Sequence, residues 1–259
     1  MSKKNTNFVL AFSLACLIIP LAVYLVYHRM EMTRIQGMDI SSYVLPKDHP
    51  IQEQLPFLFI NPAMFDSPIE LEKAGFTLSP HYEEGFMVSW HPKISGYVFK
   101  KFKNSVSKHK QLDNYVTRIK GADALAALIQ KENFKHIVTP KKWLYRLPDT
   151  FTDPISGAPS YVLIAEHMHL LDTKQNRSTY SSGISKEILR ELTTVLHRFR
   201  GLDSNLGNMP FTTDMKIAFI DTYKWDNSRW TFLKVARKFM QPEDIKYAEQ
   251  YYQQLKQES

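Results

Sequence analysis

Cysteine is almost missing from this chain: Cys16 stands alone among 259 residues. Beyond it there is no disulfide framework and no cysteine-held metal, and the redox state of the compartment is left open. No low-complexity or collagenous stretch and no internal repeat is present, so fibrous and repeat architectures drop out. Acids are scarce over residues 93–146, where Asp113, Asp123 and Glu132 face Lys100, Lys101, Lys103, Lys108, Lys110, Lys120, Lys131, Lys135, Lys141 and Lys142. Such a field would attract phosphates, anionic lipid headgroups or a protein partner, and it equally describes a solvated lysine face. No nucleic acid partner is expected. The formal net charge is +7, and a 44% hydrophobic content is ordinary for a globular chain with one sizeable domain.

Charge is also absent from residues 8–27, an apolar run that Phe8 opens and Tyr27 closes. About 20 residues at a 1.5 Å rise cross a hydrocarbon core of about 30 Å. The run lacks a small-x-small cleavage site at its end, which favours an uncleaved single-pass anchor in the lipid bilayer over a signal peptide. Ser13-Leu14-Ala15-Cys16 departs from a lipoprotein signal by a leucine one position out of place. Lys3 and Lys4 before the run balance Arg29 and Arg34 after it, so the side of the membrane holding the remainder stays open.

The rest divides into a linker and lead-in at 30–75, a sheet-rich part at 76–168 and a helical part at 169–259, after an anchor at 1–29. Ser67-Pro68 with Gly75 frames a short helix. Residues 76–78, 85–90 and 97–102 read as an antiparallel meander. Tyr115, Ile119, Ala122, Leu125 and Ile129 recur at helical spacing within 110–132. A strand or two is expected in 137–147, a buried strand at 161–166, and a helix at 185–198 stopped by Gly201. A short buried strand at 217–220 and helices near 231–239 and 242–255 follow. The order predicts an α+β fold with a sheet lobe before a helical lobe.

Gly201-Leu202-Asp203-Ser204-Asn205-Leu206-Gly207-Asn208 follows the helix, and Lys216-Ile217-Ala218-Phe219-Ile220-Asp221 comes soon after. An aspartate, an asparagine five positions on, and a second aspartate after a short apolar strand form a pattern that resembles the protein-kinase-like superfamily. The resemblance covers about 76–221 and implies a bilobal fold with a reduced C-terminal lobe. It implies that Asp203 is the catalytic base, that Asn208 and Asp221 hold Mg2+, and that Lys100 in Tyr97-Val98-Phe99-Lys100 pairs with the phosphates of ATP. Lys101 competes for that place. Glu166, His167 and Met168 would meet an adenine edge through backbone groups.

Several features depart from the family's pattern. The loop that would cover the nucleotide, His81-Tyr82-Glu83-Glu84-Gly85, has one glycine and two acids. Gly201-Leu202 replaces His-Arg, and Thr222-Tyr223 follows the metal aspartate. No glutamate lies between Lys100 and Lys131, which leaves Asp123 as the best-placed partner for Lys100. Only 38 residues follow Asp221, too few for the usual peptide-docking helices. Three functions fit: a membrane-tethered phosphotransferase, a pseudokinase serving as a binding or scaffold module, and an unrelated membrane-tethered adaptor with a basic surface. His167 and His169, two apart at a strand end, make a poor metal pair, and His197 reads as a satisfied or surface histidine.

Overall fold

Local capping chemistry sets the first elements of the computed structural model, which describes residues 37, 39–79, 86–153, 157–199, 202, 205–223 and 236–258, with 19, 20, 23 and 26. A short helix α1 (Leu55–Leu58) precedes α2 (Pro68–Lys73). The Ser67 hydroxyl accepts the Glu70 N–H and Pro68 takes the first helical position, as the sequence predicts. Gly75, at φ 89°, adopts the left-handed conformation that ends the turn.

Residues 30–75, expected to be a linker and lead-in, supply a large part of a core through residues 45–71. Leu45, Ile51, Leu55, Phe59, Met64, Phe65 and Leu71 are buried with Phe76, Phe99, Trp143, Val162 and Ile164. Phe59 alone lies within ring contact of Phe65, Phe76, Phe99 and Tyr145. The lead-in therefore covers one face of the sheet, which would otherwise expose its apolar side chains.

Seven strands are described: β1 (Thr77–Leu78), β2 (Phe86–His91), β3 (Ile94–Phe102), β4 (Ile137–Val138), β5 (Lys142–Arg146), β6 (Tyr161–Glu166) and β7 (Ile217–Ala218). Five form an antiparallel sheet in the order β1-β2-β3-β6-β5. Its other face carries the long helix α3 (Lys108–Glu132). Successive strand residues point to opposite faces. Leu144 and Leu163 accordingly pack on Leu112, Tyr115, Val116 and Ile119 of α3, while Trp143, Val162 and Ile164 face the lead-in.

The second lobe holds α4 (Thr173–Ser181), α5 (Lys186–Arg198), α6 (Pro242–Gln257) and the parallel pair β4–β7. Leu189, Leu192, Val195 and Leu196 of α5 pack with Phe211, Phe219 and Ile245, and Leu125 of α3 reaches this cluster too. The amphipathic stripe read at 185–198 is therefore a core face, with Ser185 as the cap. The arrangement is α+β with a sheet lobe before a helical lobe.

One part of the expected architecture is corrected. Among the described residues no helix is long and apolar enough to cross a membrane, so the fold stands without the expected transmembrane helix. Of the run at 8–27 only Ile19, Pro20, Val23 and Val26 are described, each helical, and the remainder lies outside the described residues. Cys16, the loop at 80–85, Gly201, Asp203 and most of the helix expected near 231–239 also lie outside them.

Candidate functional site

A cavity of about 520 Å³ opens between the lobes, lined by Lys100, Arg118, Asn176, Asn208 and Asp221 with apolar neighbours such as Val88, Leu170 and Ile220. Three of the residues singled out from the sequence, Lys100, Asn208 and Asp221, thus share one wall space.

Lys100 stands on β3 opposite Val88 of β2 and Leu163 of β6. Its Nζ donates to the Ile220 carbonyl at 3.2 Å. Burial pulls its ammonium down to about 8, against the pull of Asp221 in the other direction and with some help from Arg118. Lys101, one residue on, turns to the opposite face. It is fully buried, bonds Gln111 Oε1 and lies 5.5 Å from the Phe65 ring. The pleat settles the competition between the two lysines in favour of Lys100 as the cleft residue.

The loop bearing Asn208 is held from below. The Asn208 N–H donates to Asn205 Oδ1 (3.0 Å), and its carbonyl accepts the Ile220 N–H (3.1 Å), which ties the loop to the chain entering Asp221. Helix α4 supplies two further anchors. Asn176 Nδ2 donates to the Leu206 carbonyl and its Oδ1 accepts the Phe211 N–H, while the Tyr180 hydroxyl donates to the Met209 carbonyl at 2.7 Å. Neither residue was singled out from the sequence. The capping box Asp172…Gln175, whose side chains bond each other's backbone N–H, is the signal that marks this helix.

Asp221 follows β7, and its partner is Arg118. Nη1 of Arg118 lies in ion-pair contact with Asp221 Oδ1. The same Oδ1 accepts the Tyr223 N–H at 2.9 Å. Burial would raise the Asp221 carboxyl, but Arg118 and then Lys100 outweigh it and hold the group at about 2. Arg118 is fixed in turn. Its Nε donates to Asn114 Oδ1 (2.8 Å), and its guanidinium lies 4.8 Å from the Phe86 ring and 5.0 Å from the Tyr223 ring. The Thr222 hydroxyl donates to the Arg118 carbonyl (2.5 Å) and accepts from Lys142 Nζ (2.7 Å). Lys142 is buried, which drives its ammonium well below the usual range, with Lys100 adding to the effect.

Asp123, the substitute acid expected to pair with Lys100, is placed elsewhere. Its charged neighbours are Lys141 and Lys142, and burial raises its carboxyl somewhat in spite of them. The carboxylate that acts on Lys100 is Asp221. The helix residue that enters the cleft is therefore a cation, where the resemblance leads one to look for an acid.

Glu166 and Met168 line a second, more apolar cavity of about 180 Å³ that shares Val88, Lys100, Leu170 and Ile220 with the first. Two of the expected backbone contacts are already committed. The Glu166 N–H donates to the Lys141 carbonyl (3.0 Å) and the His167 N–H to the Gly96 carbonyl (2.8 Å). The Glu166 carboxylate accepts the Lys141 N–H at 2.9 Å. His167 and His169 meet edge to face at 5.8 Å. His197 is buried, not on the surface, and meets the Tyr252 ring edge to face at 5.3 Å.

The donor set of Asn208 and Asp221 does not fit Mg2+ as it stands. This hard cation needs several oxygen ligands in near-octahedral array. Asp221 is the one carboxylate among the described lining residues, one of its oxygens is committed to a guanidinium and a backbone N–H, and a fixed positive charge in contact with it opposes a dication. Among the described residues, the one metal-sized group of His, Asp and Glu side chains, His136, Glu187 and Glu191, is not part of the cleft lining. There the Glu191 carboxylate accepts the Lys135 and His136 N–H groups at 2.9 and 2.8 Å, so it already serves to fix the chain entering β4.

No protein-family model matches the chain, and no curated protein matches it. Among solved structures it is weakly similar to the MAP kinase LmaMPK10 from Leishmania major. The identity is 13% and the TM-score 0.30, over 60% of this chain and 48% of the kinase. The chain thus spans about half the length of that neighbour.

Proposed function

We propose that this chain is a kinase-like nucleotide-binding protein of the pseudokinase type, which holds the phosphates of ATP beside Lys100 and Asn208. The observation that carries the reading is the shared cavity of Lys100, Arg118, Asn208 and Asp221 between a sheet lobe and a helical lobe. The adjoining apolar cavity at Met168 supports a site for the base, because it continues from the phosphate side through Lys100. A few polar groups converging on an apolar pocket are the usual make-up of a small-molecule site.

Binding is favoured over phosphoryl transfer by the charge arrangement. Transfer in kinases relies on metal ions that neutralise the developing charge, and Arg118 stands against the metal carboxylate. A nucleotide-binding scaffold needs no such metal. The resemblance still assigns Asp203 as the base of an active enzyme.

The test is thermal unfolding of the full chain with and without ATP. ATP raises the melting temperature of the wild type, and Lys100→Met removes the increase. No response to any nucleotide overturns the reading and favours the adaptor. Phosphate transfer that disappears in Asp203→Ala replaces the scaffold by an enzyme.

A further inference from the structure

We infer that the cleft recognises a metal-free polyphosphate, with the Arg118 guanidinium taking the charge-neutralising place that a divalent cation would otherwise fill. The inference rests on the nucleotide-binding reading and specifies the ionic form of the ligand.

Among the described residues, the charged side chains lining the cavity are Lys100, Arg118 and Asp221. Two cationic side chains thus stand beside one carboxylate, and Arg118 is already in ion-pair contact with that carboxylate. That balance attracts a bare phosphate group and disfavours an added dication.

Arg118 cannot leave this post without losing several contacts. Its side chain is 7% exposed, its Nε is bonded to Asn114, and Phe86 and Tyr223 lie on its faces. The guanidinium carries five N–H donors in a planar fork. Asn114 engages the Nε–H and Nη1 is buried against Asp221, which leaves the Nη2 donors for a ligand in the cavity that Arg118 lines. A guanidinium N–H donating to a phosphate oxygen makes a charge-assisted hydrogen bond, stronger than a neutral one. A magnesium ion on Asp221 would have to sit against this fixed cation, and magnesium on the ligand would compete with Nη2 for the phosphate oxygens.

The decisive experiment is calorimetric titration of the full chain with ATP and, separately, with inorganic pyrophosphate, each in EDTA and in excess Mg2+. The expected result is ATP binding in EDTA that weakens several-fold in Mg2+. Arg118→Gln should lose about tenfold or more in EDTA. Arg118→Lys, which keeps the charge and loses the fork, should fall between, and circular dichroism shows whether each variant is folded. ATP binding that needs Mg2+ overturns this inference and leaves the nucleotide reading intact. Pyrophosphate binding in EDTA without ATP binding supports the inference and overturns the nucleotide reading. Binding of neither ligand in either buffer overturns both. The buffer comparison on the wild type requires no variant to fold.

Discussion

Arg118 of α3 and Asp221 after β7 form an ion pair within the cleft between the two lobes, with one side chain 7% and the other 24% exposed. The pair joins the long helix of the sheet lobe to the strand exit of the helical lobe. It also sets the charge of the cavity, since Lys100 is the remaining charged side chain among its described lining residues.

Removing one partner of this pair should be costly. Arg118→Ala leaves a largely buried carboxylate with Lys100 as its remaining counter-charge, so the loss should approach the low end of the about 3–5 kcal/mol typical of a broken buried pair. Chemical denaturation should show the loss, and the Asp221 carboxyl should move upward from about 2 in an NMR titration. The double change Arg118→Met with Asp221→Leu should recover much of the stability, because it removes both desolvated charges together.

The cleft should have a characteristic pH dependence. Folded Lys100 titrates at about 8 against an ordinary 10.5. Between those values the unfolded chain holds a proton that the folded chain has released, so stability rises with pH across this window. Buried Lys101 and Lys142 shift in the same direction and add to the rise. Anion binding should move the opposite way, weakening as pH climbs through 8. At the acid end Asp221, at about 2 folded against 3.8, contributes stability that is lost as pH falls from 3.8 toward 2. Unfolding free energies from pH 2 to 10.5 check each sign, and Lys100→Met should reduce the alkaline slope.

Tyr180→Phe should loosen the loop bearing Asn208. It deletes the buried bond from the Tyr180 hydroxyl to the Met209 carbonyl and leaves that carbonyl without the donor. The expected cost is about 1–3 kcal/mol. Hydrogen exchange should rise at Asn208 and Met209 before it rises in the sheet.

The lead-in should be inseparable from the sheet lobe. Phe59→Ala empties a site among four rings and should destabilise by about 3–5 kcal/mol. A chain beginning at residue 76 should fail to fold cooperatively, because Leu55, Phe59, Phe65 and Leu71 would leave Phe99 and Ile164 uncovered. Loss of near-ultraviolet circular dichroism would register the failure.

Local sequence carried much of this architecture. Ser67-Pro68 and Gly75 bracket α2, and the continuous apolar run at β6 matches its observed bounds. The strands of the cleft walls and helix α3 were legible because periodicity and branched runs act over a few residues. The lead-in was misread because its prolines and short helices look like a linker until the sheet face beneath them is seen. Helix α4 went unseen because its periodicity is weak and polar, while its capping box lies outside any apolar stripe.

The sequence by itself determined the two lobes, the strand carrying Lys100 and the loop and strand that carry Asn208 and Asp221. Only the tertiary structure decided that Arg118 meets Asp221, and that the carboxylate acting on Lys100 is Asp221 and not the expected Asp123. In the sequence, Arg118 falls three residues after Tyr115 and four before Ala122, a spacing that puts it on the inward face of α3. Its partner was undetermined, because a buried cation can be satisfied by any carboxylate that folding brings within reach. Asp221 arrives there through the packing of the β4–β7 pair beside α3, a contact set by the whole core and by no local pattern.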